Sequence, residues 1–161
     1  MIVSTVIIEP IGLNLFKTKT EFTLEYWHDG ERYRIVIPAG FEFNQASIPR
    51  ILWPIVPPSG LGKVPPLVHD YIIEEMRKHG FVRMQYYVEG IGWIWSNGRW
   101  TRKEADKMFF ALMSQTMEQW PLPKGWKGRV VRWWRRRVRR GAFKAVRAWG
   151  WIQEKRGKEW G

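Results

Sequence analysis

Cysteine is absent from the 161 residues of this chain, which excludes both a disulfide framework and a thiolate-ligated metal site. No uninterrupted apolar run approaches the roughly 20 residues that a membrane-spanning helix needs. The first ten residues, M-I-V-S-T-V-I-I-E-P, have no basic stretch before their short apolar run, so no signal peptide is predicted. Hydrophobic residues nevertheless make up 45% of the chain, and we expect one domain with a buried core and an appendage.

Acidic residues are missing from residues 119–153, although this segment holds 11 lysines and arginines. Residues 1–118 hold 13 basic and 13 acidic residues, so the segment carries almost all of the net charge of +12. Clustered like charges repel each other, and we therefore expect the segment to meet an anionic surface. A phospholipid membrane, nucleic acid and the acidic surface of another protein each fit this charge.

Short β-prone runs dominate residues 1–45. Residues 21–27 and 31–38 flank the sequence H-D-G, which is typical of a hairpin turn. Residues 81–100 form a second β-prone stretch, in which Asn97-Gly98 predicts a tight turn. These patterns indicate an N-terminal antiparallel sheet and a separate β-wing.

Two central helices are predicted on either side of that wing. The first covers residues 65–79, because Val68, Ile72 and Met76 recur every fourth residue and form one apolar stripe. The second begins after Thr101, with Glu104 three residues later in the pattern of a capping box, and runs to about Gln119.

A third, basic amphipathic helix is predicted from Trp126 onward, where arginines and tryptophans are interleaved. The residues that we expect to contact the anionic surface are Arg129, Arg132, Arg135, Arg136, Arg139, Arg140, Trp133 and Trp134. The predicted fold is α+β, with an N-terminal antiparallel β-sheet and hairpins packed on two central helices, a β-wing between them and the C-terminal basic helix. Residues 1–120 form the predicted core domain and residues 121–161 a helical extension.

The first helix contains the polar residues His69 and Asp70, close to its apolar stripe. An imidazole or a carboxylate is costly to bury alone, so both side chains need partners. Asp106 lies beside the apolar face of the second helix. The three residues form a catalytic cluster or a structural network, and either interpretation fits the pattern.

The motifs A-S-I-P-R, L-V-H-D-Y and R-K-E-A-D-K-M-F occur in this order along the chain. In this order they resemble an uncharacterised phage and prophage family, known as domain of unknown function 1353. The resemblance covers roughly residues 21–150. It implies a viral or prophage setting, in the virion or the host cytoplasm, and it implies no activity.

The order of a glycine-containing loop, a His-Asp helix, a β-wing and an Asp-bearing helix is more distantly similar to phospholipases A2. This similarity implies that His69 is the general base and that Asp106 orients it. It also implies a calcium ion held by Asp70 and by the loop around Gly60 and Gly62. We therefore expect a phage-encoded hydrolase that acts at membranes.

The competing interpretation is a non-enzymatic virion part, such as a tail or baseplate component. His69 then donates to a backbone carbonyl, and the helix dipole favours Asp70 near the helix N-terminus. Asp106 faces water or pairs with Arg102 or Lys103, and Arg50 is a further candidate partner for either aspartate. In this interpretation the basic helix contacts a protein partner or forms an oligomer interface.

Overall fold

The computed structural model has an α+β architecture. The described residues are 2–3, 5–12, 15–44, 63–119, 124–126, 129–130, 133, 137, 141 and 144. In this part of the chain the strands are β1 (Ile2–Val3), β2 (Ile8–Gly12), β3 (Leu15–Thr18), β4 (Phe22–His28), β5 (Glu31–Ile37), β6 (Glu42–Asn44), β7 (Val82–Val88) and β8 (Gly92–Gly98). The helices are α1 (Val64–His79) and α2 (Arg102–Gln119).

The described residues divide into two compact units. The first takes those within 1–44 and 70–100, and the second takes those within 63–69 and 101–144. Helix α1 is therefore shared: His69 belongs to the second unit, and Asp70 belongs to the first. The division into residues 1–120 and 121–161 stays a prediction.

A five-stranded antiparallel sheet in the first unit has the order β1-β4-β5-β7-β8. Its predicted β4–β5 hairpin is confirmed, with His28 paired to Glu31 across the turn. Asp29 and Gly30 have φ values of 51° and 86°, as the two central residues of a type I′ turn require. Three further strands, in the order β2-β3-β6, form a separate sheet.

The β7–β8 hairpin differs from the predicted wing. Strand β7 pairs with β5, so the hairpin extends the five-stranded sheet. The turn predicted at Asn97-Gly98 is wrong, because both residues pair with β7. The chain reverses instead after Val88, whose carbonyl accepts a hydrogen bond from Ile91 N–H at 3.1 Å. Cross-strand pairing over seven residues overrides the local preference of Asn-Gly for a turn.

Alternation of side chains places the core of the first unit on one face of the five-stranded sheet. Its strand residues Phe22, Leu24, Ile35, Ile37, Val82 and Met84 are all buried. Ile72 and Met76 of α1 are buried as predicted. The Tyr71 ring meets the Phe41 ring edge-on, with the ring centres 5.2 Å apart, and the backbone N–H of Trp100 donates to the Met76 sulfur at 3.4 Å.

The ends of both helices follow their sequence signals. Gly80 follows α1 with φ 74°, and its N–H donates to the Met76 carbonyl at 2.9 Å. At the start of α2, Thr101 N–H donates to Glu104 Oε2 at 2.7 Å, and Glu104 N–H donates to Thr101 Oγ1 at 3.3 Å. This reciprocal pair is the predicted capping box.

Candidate active site

Two polar side chains of the second unit meet inside its apolar core. His69 on α1 and Asp106 on α2 are 37 positions apart, and His69 Nε2 lies 3.0 Å from Asp106 Oδ1. The exposed fraction is 6% for His69 and 1% for Asp106. The alternative in which Asp106 faces water is therefore wrong, and a hydrogen bond from His69 to a backbone carbonyl stays a prediction.

Apolar residues of both helices surround this pair. Leu67 and Val68 precede His69 on α1, and Ala105 and Phe109 flank Asp106 on α2; all four are buried. The Phe109 ring meets the imidazole edge-on, with the ring centres 5.4 Å apart. This packing restricts rotation of the imidazole and keeps the hydrogen bond in a low-dielectric environment, where it is stronger than in water.

The hydrogen bond to Asp106 selects one form of the imidazole. An ionised carboxylate only accepts, so Nε2 carries the hydrogen and donates it. In the neutral ring the second nitrogen, Nδ1, then has the lone pair that can accept a proton. A carboxylate in this position also stabilises the imidazolium once it forms. The arrangement has the base and the orienting group that general-base catalysis needs.

Asp70, in the first unit, is partly exposed, and its carboxylate contacts the backbone. Its Oδ2 accepts a hydrogen bond from the Asn44 N–H at 3.0 Å. Within the described residues, no three side chains of His, Cys, Asp or Glu form a metal-binding group. Gly60 and Gly62 lie outside the described residues, and calcium binding stays a prediction.

The predicted anionic surface is described at only a few positions. Arg132, Arg135, Arg136, Arg139, Arg140 and Trp134 lie outside the described residues. Arg129 and Trp133 are helical and exposed, and their contact with an anionic surface stays a prediction. Trp126 and Val130 are exposed as well, and the Arg137 guanidinium lies 5.1 Å from the centre of the Trp133 ring.

A second group of arginines and aromatic residues, which the sequence patterns did not predict, lies on the five-stranded sheet of the first unit. Glu25 lies among them, and its hydrogen bond from Arg34 lowers the pKa of this carboxyl below its ordinary value, with Arg32 contributing as well. The signal that could have found the group is the two-residue spacing of Arg32 and Arg34 and of Trp93 and Trp95. Residues at this spacing share one face of a strand.

A family model described as "Protein of unknown function (DUF1353)" matches residues 20–126, which is more than half of the chain. No curated protein and no solved structure matches the chain. None of the helices in the described part of the chain combines the length and the apolar character that crossing a membrane requires.

Proposed function

This chain belongs to the DUF1353 family, which carries no functional description, and we propose that it is an ester hydrolase with His69 as general base. The observation that carries the proposal is the buried contact of 3.0 Å between His69 Nε2 and Asp106 Oδ1. Asp106 is the positioning residue, since it acts through the imidazole. A phage-encoded phospholipase is the specific form that the sequence resemblance favours.

The proposed reaction follows from the chemistry of this pair. Nδ1 of His69 takes a proton from a water molecule, whose oxygen attacks the ester carbonyl carbon. Asp106 stabilises the imidazolium that forms. The imidazolium then returns the proton to the departing alcohol as the ester bond breaks, which leaves a carboxylic acid and the alcohol.

Lipid is the proposed substrate class because the same unit exposes an amphipathic set of helical side chains. Trp126 and Trp133 are 64% and 59% exposed, and Arg129 and Arg137 are exposed beside them. Tryptophan rings favour the interface between water and lipid, while arginine binds phosphate headgroups. A hydrolase with such a surface binds membranes or vesicles, so it reaches lipid molecules that are packed in them.

The test is hydrolysis of phospholipid in anionic vesicles by the full-length chain, measured with calcium and with a chelator. His69→Gln should reduce the rate by at least about a hundredfold, because general-base catalysis contributes on this scale. His79→Gln is the matched control, since His79 is exposed at the end of the same helix. Equal rates for both variants, or no hydrolysis by the unmodified chain, would contradict the proposal.

A non-enzymatic virion component is the second candidate, and the depth of the pair favours it. With 6% and 1% of their surfaces exposed, His69 and Asp106 also suit a structural contact between α1 and α2. The chain should then be present in purified particles, and His69→Gln should lower its thermal stability without any hydrolytic rate to lose.

A further inference from the structure

The five-stranded sheet of the first unit has a polar face opposite its core face. The side chains of this face alternate with the buried residues of the same strands. They are Thr23, Glu25, Trp27, Arg32, Arg34, Val36, Arg83, Gln85, Tyr87, Trp93, Trp95 and Asn97. We call this surface the arginine–aromatic face.

Strand register assembles the face from four separate strands. Trp27 of β4 pairs with Arg32 of β5, and Tyr87 of β7 pairs with Trp93 of β8. Because Tyr33 pairs with Tyr86, the register brings Arg32 next to Tyr87 and joins the two halves into one row. A second row beside it contains Glu25, Arg34, Gln85 and Trp95.

Guanidinium groups and rings are in contact along these rows. The Arg32 guanidinium lies 4.8 Å from the Tyr87 ring centre and 5.5 Å from that of Trp27. The Arg34 guanidinium lies 4.0 Å from the Trp93 ring centre. At the edge strand, the Arg83 guanidinium lies 4.7 Å from the ring centre of Trp95. These distances are within the range of cation–π interactions, so the rings are held in place before any ligand binds.

Charge and exposure on this face are unbalanced. Three arginines stand against one acid, Glu25, which is already shared between Arg32 and Arg34 at 3.2 and 2.6 Å. Arg83 is exposed, and Trp27 and Trp95 are 64% and 48% exposed. The face therefore presents positive charge together with two exposed tryptophan rings, one on β4 and one on β8.

The combination restricts the chemistry of the ligand. An apolar partner would remove water from three guanidinium groups, which is costly. A neutral sugar would contact the rings but leave the charge unmatched. Duplex nucleic acid matches the charge, but its bases are stacked on one another. A single strand supplies phosphates for the arginines and free bases for the rings.

We infer that the arginine–aromatic face binds single-stranded nucleic acid, with bases stacked on Trp27 and Trp95 and phosphates near Arg83. This activity is separate from the proposed hydrolysis, because all of its residues belong to the first unit. The arginines positioned against the rings keep the stacking surfaces oriented, and the extended strand lies across the sheet.

The test must separate stacking from the general attraction of the basic segment 119–153 for phosphate. Fluorescence anisotropy of the full-length chain with a labelled oligothymidylate provides the assay, with three unlabelled competitors of equal length. The competitors are the same oligonucleotide, an abasic strand and a duplex. The intact and abasic strands have the same backbone charge, so a preference for the intact strand over the abasic strand reports stacking. The duplex has about twice the charge per length and reports attraction by charge. We expect a preference of about tenfold over the abasic strand, as one stacked base provides on this scale.

The variant Trp27→Ala/Trp95→Ala should lose this preference, and Trp27→Tyr/Trp95→Tyr should recover most of it because tyrosine keeps a ring. Trp133→Ala is the matched control, since it removes an equally exposed tryptophan from the second unit. Circular dichroism verifies that each variant is folded. Equal affinity of the unmodified chain for intact and abasic strands would overturn the inference. A preference for the intact strand that survives in the double alanine variant would also overturn it. So would displacement of the oligonucleotide by anionic vesicles that occurs only when both tryptophans are present.

Discussion

The two units of this protein each hold a carboxylate with a cationic or ionisable partner, and the two carboxylates differ in burial. Asp106, in the second unit, is 1% exposed and contacts His69. Glu25, in the first unit, keeps 20% of its side-chain surface exposed and contacts Arg32 and Arg34. Water screens the contact of Glu25 with the two arginines, but it hardly reaches the contact of Asp106 with His69. We therefore expect removal of one partner to cost more stability at the buried contact than at the partly exposed one.

The largest effect is expected where the buried pair loses one partner. Asp106→Ala should lower the free energy of unfolding by about 1–3 kcal/mol, because it removes the acceptor of the hydrogen bond from the buried imidazole. Denaturant unfolding of the full-length chain measures the change. Asp106→Asn is the control, since an amide oxygen can still accept from Nε2 and the loss should be smaller. An alanine variant as stable as the asparagine variant would show that the pair contributes little.

A smaller effect is expected for the half-buried carboxylate on the sheet. Glu25→Gln should cost about 1 kcal/mol, as expected for charge-assisted hydrogen bonds that are partly screened by water. Because folding lowers the pKa of Glu25, its contribution is present above the ordinary pKa of 4.5. The contribution is lost as pH falls through the lowered value.

The difference in stability between the unmodified chain and Glu25→Gln should therefore shrink below about pH 4.5. Denaturant unfolding at a series of acidic pH values measures it. A difference that stays constant across this range would mean that the charge of Glu25 has no part in the contact.

The capping carboxylate of α2 should contribute less again. Glu104 is exposed and accepts from the Thr101 N–H at 2.7 Å. Glu104→Ala should cost about 0.5 kcal/mol by removing this half of the capping box. The thermal unfolding midpoint measures the effect, with Lys103→Ala as a neighbouring exposed control. Equal losses in both variants would attribute the effect to helix propensity or charge instead of capping.

The smallest effect is expected at the surface pair of Glu74 and Lys78, which are one turn apart on α1. The exposed fraction of the side chain is 31% for Glu74 and 52% for Lys78, so water screens this contact. Glu74→Gln should cost no more than about 0.3 kcal/mol, and added salt should remove the difference. A loss as large as that of Glu25→Gln would break the relation between burial and energy.

Local patterns were sufficient to predict much of the fold. The stripe of Val68, Ile72 and Met76 predicted the buried side of α1, and Thr101 with Glu104 predicted the start of α2. These signals succeed because a helix brings residues three and four positions apart onto one face. The Asn97-Gly98 turn failed because its preference for a turn is weaker than continuous pairing with β7.

Local sequence patterns predicted only part of the candidate site. His69 and Asp106 could be selected as residues in need of partners, because each lies beside an apolar stripe. Their separation of 37 positions carries no local signal that one is the partner of the other. The arginine–aromatic face was missed altogether, since its residues come from four strands and only the sheet register brings them together.

The sequence by itself determined the α and β elements, their caps, the buried stripes and the acid-free basic segment, because these depend on neighbours within a few residues. Tertiary structure alone decided that Asp106 is the partner of His69 and that Asp70 accepts from the Asn44 backbone. It also decided that three arginines and their aromatic neighbours share one face. Such contacts depend on the approach of His69 to Asp106 within the second unit and on strand register in the first, which bring residues far apart in sequence within a few ångströms.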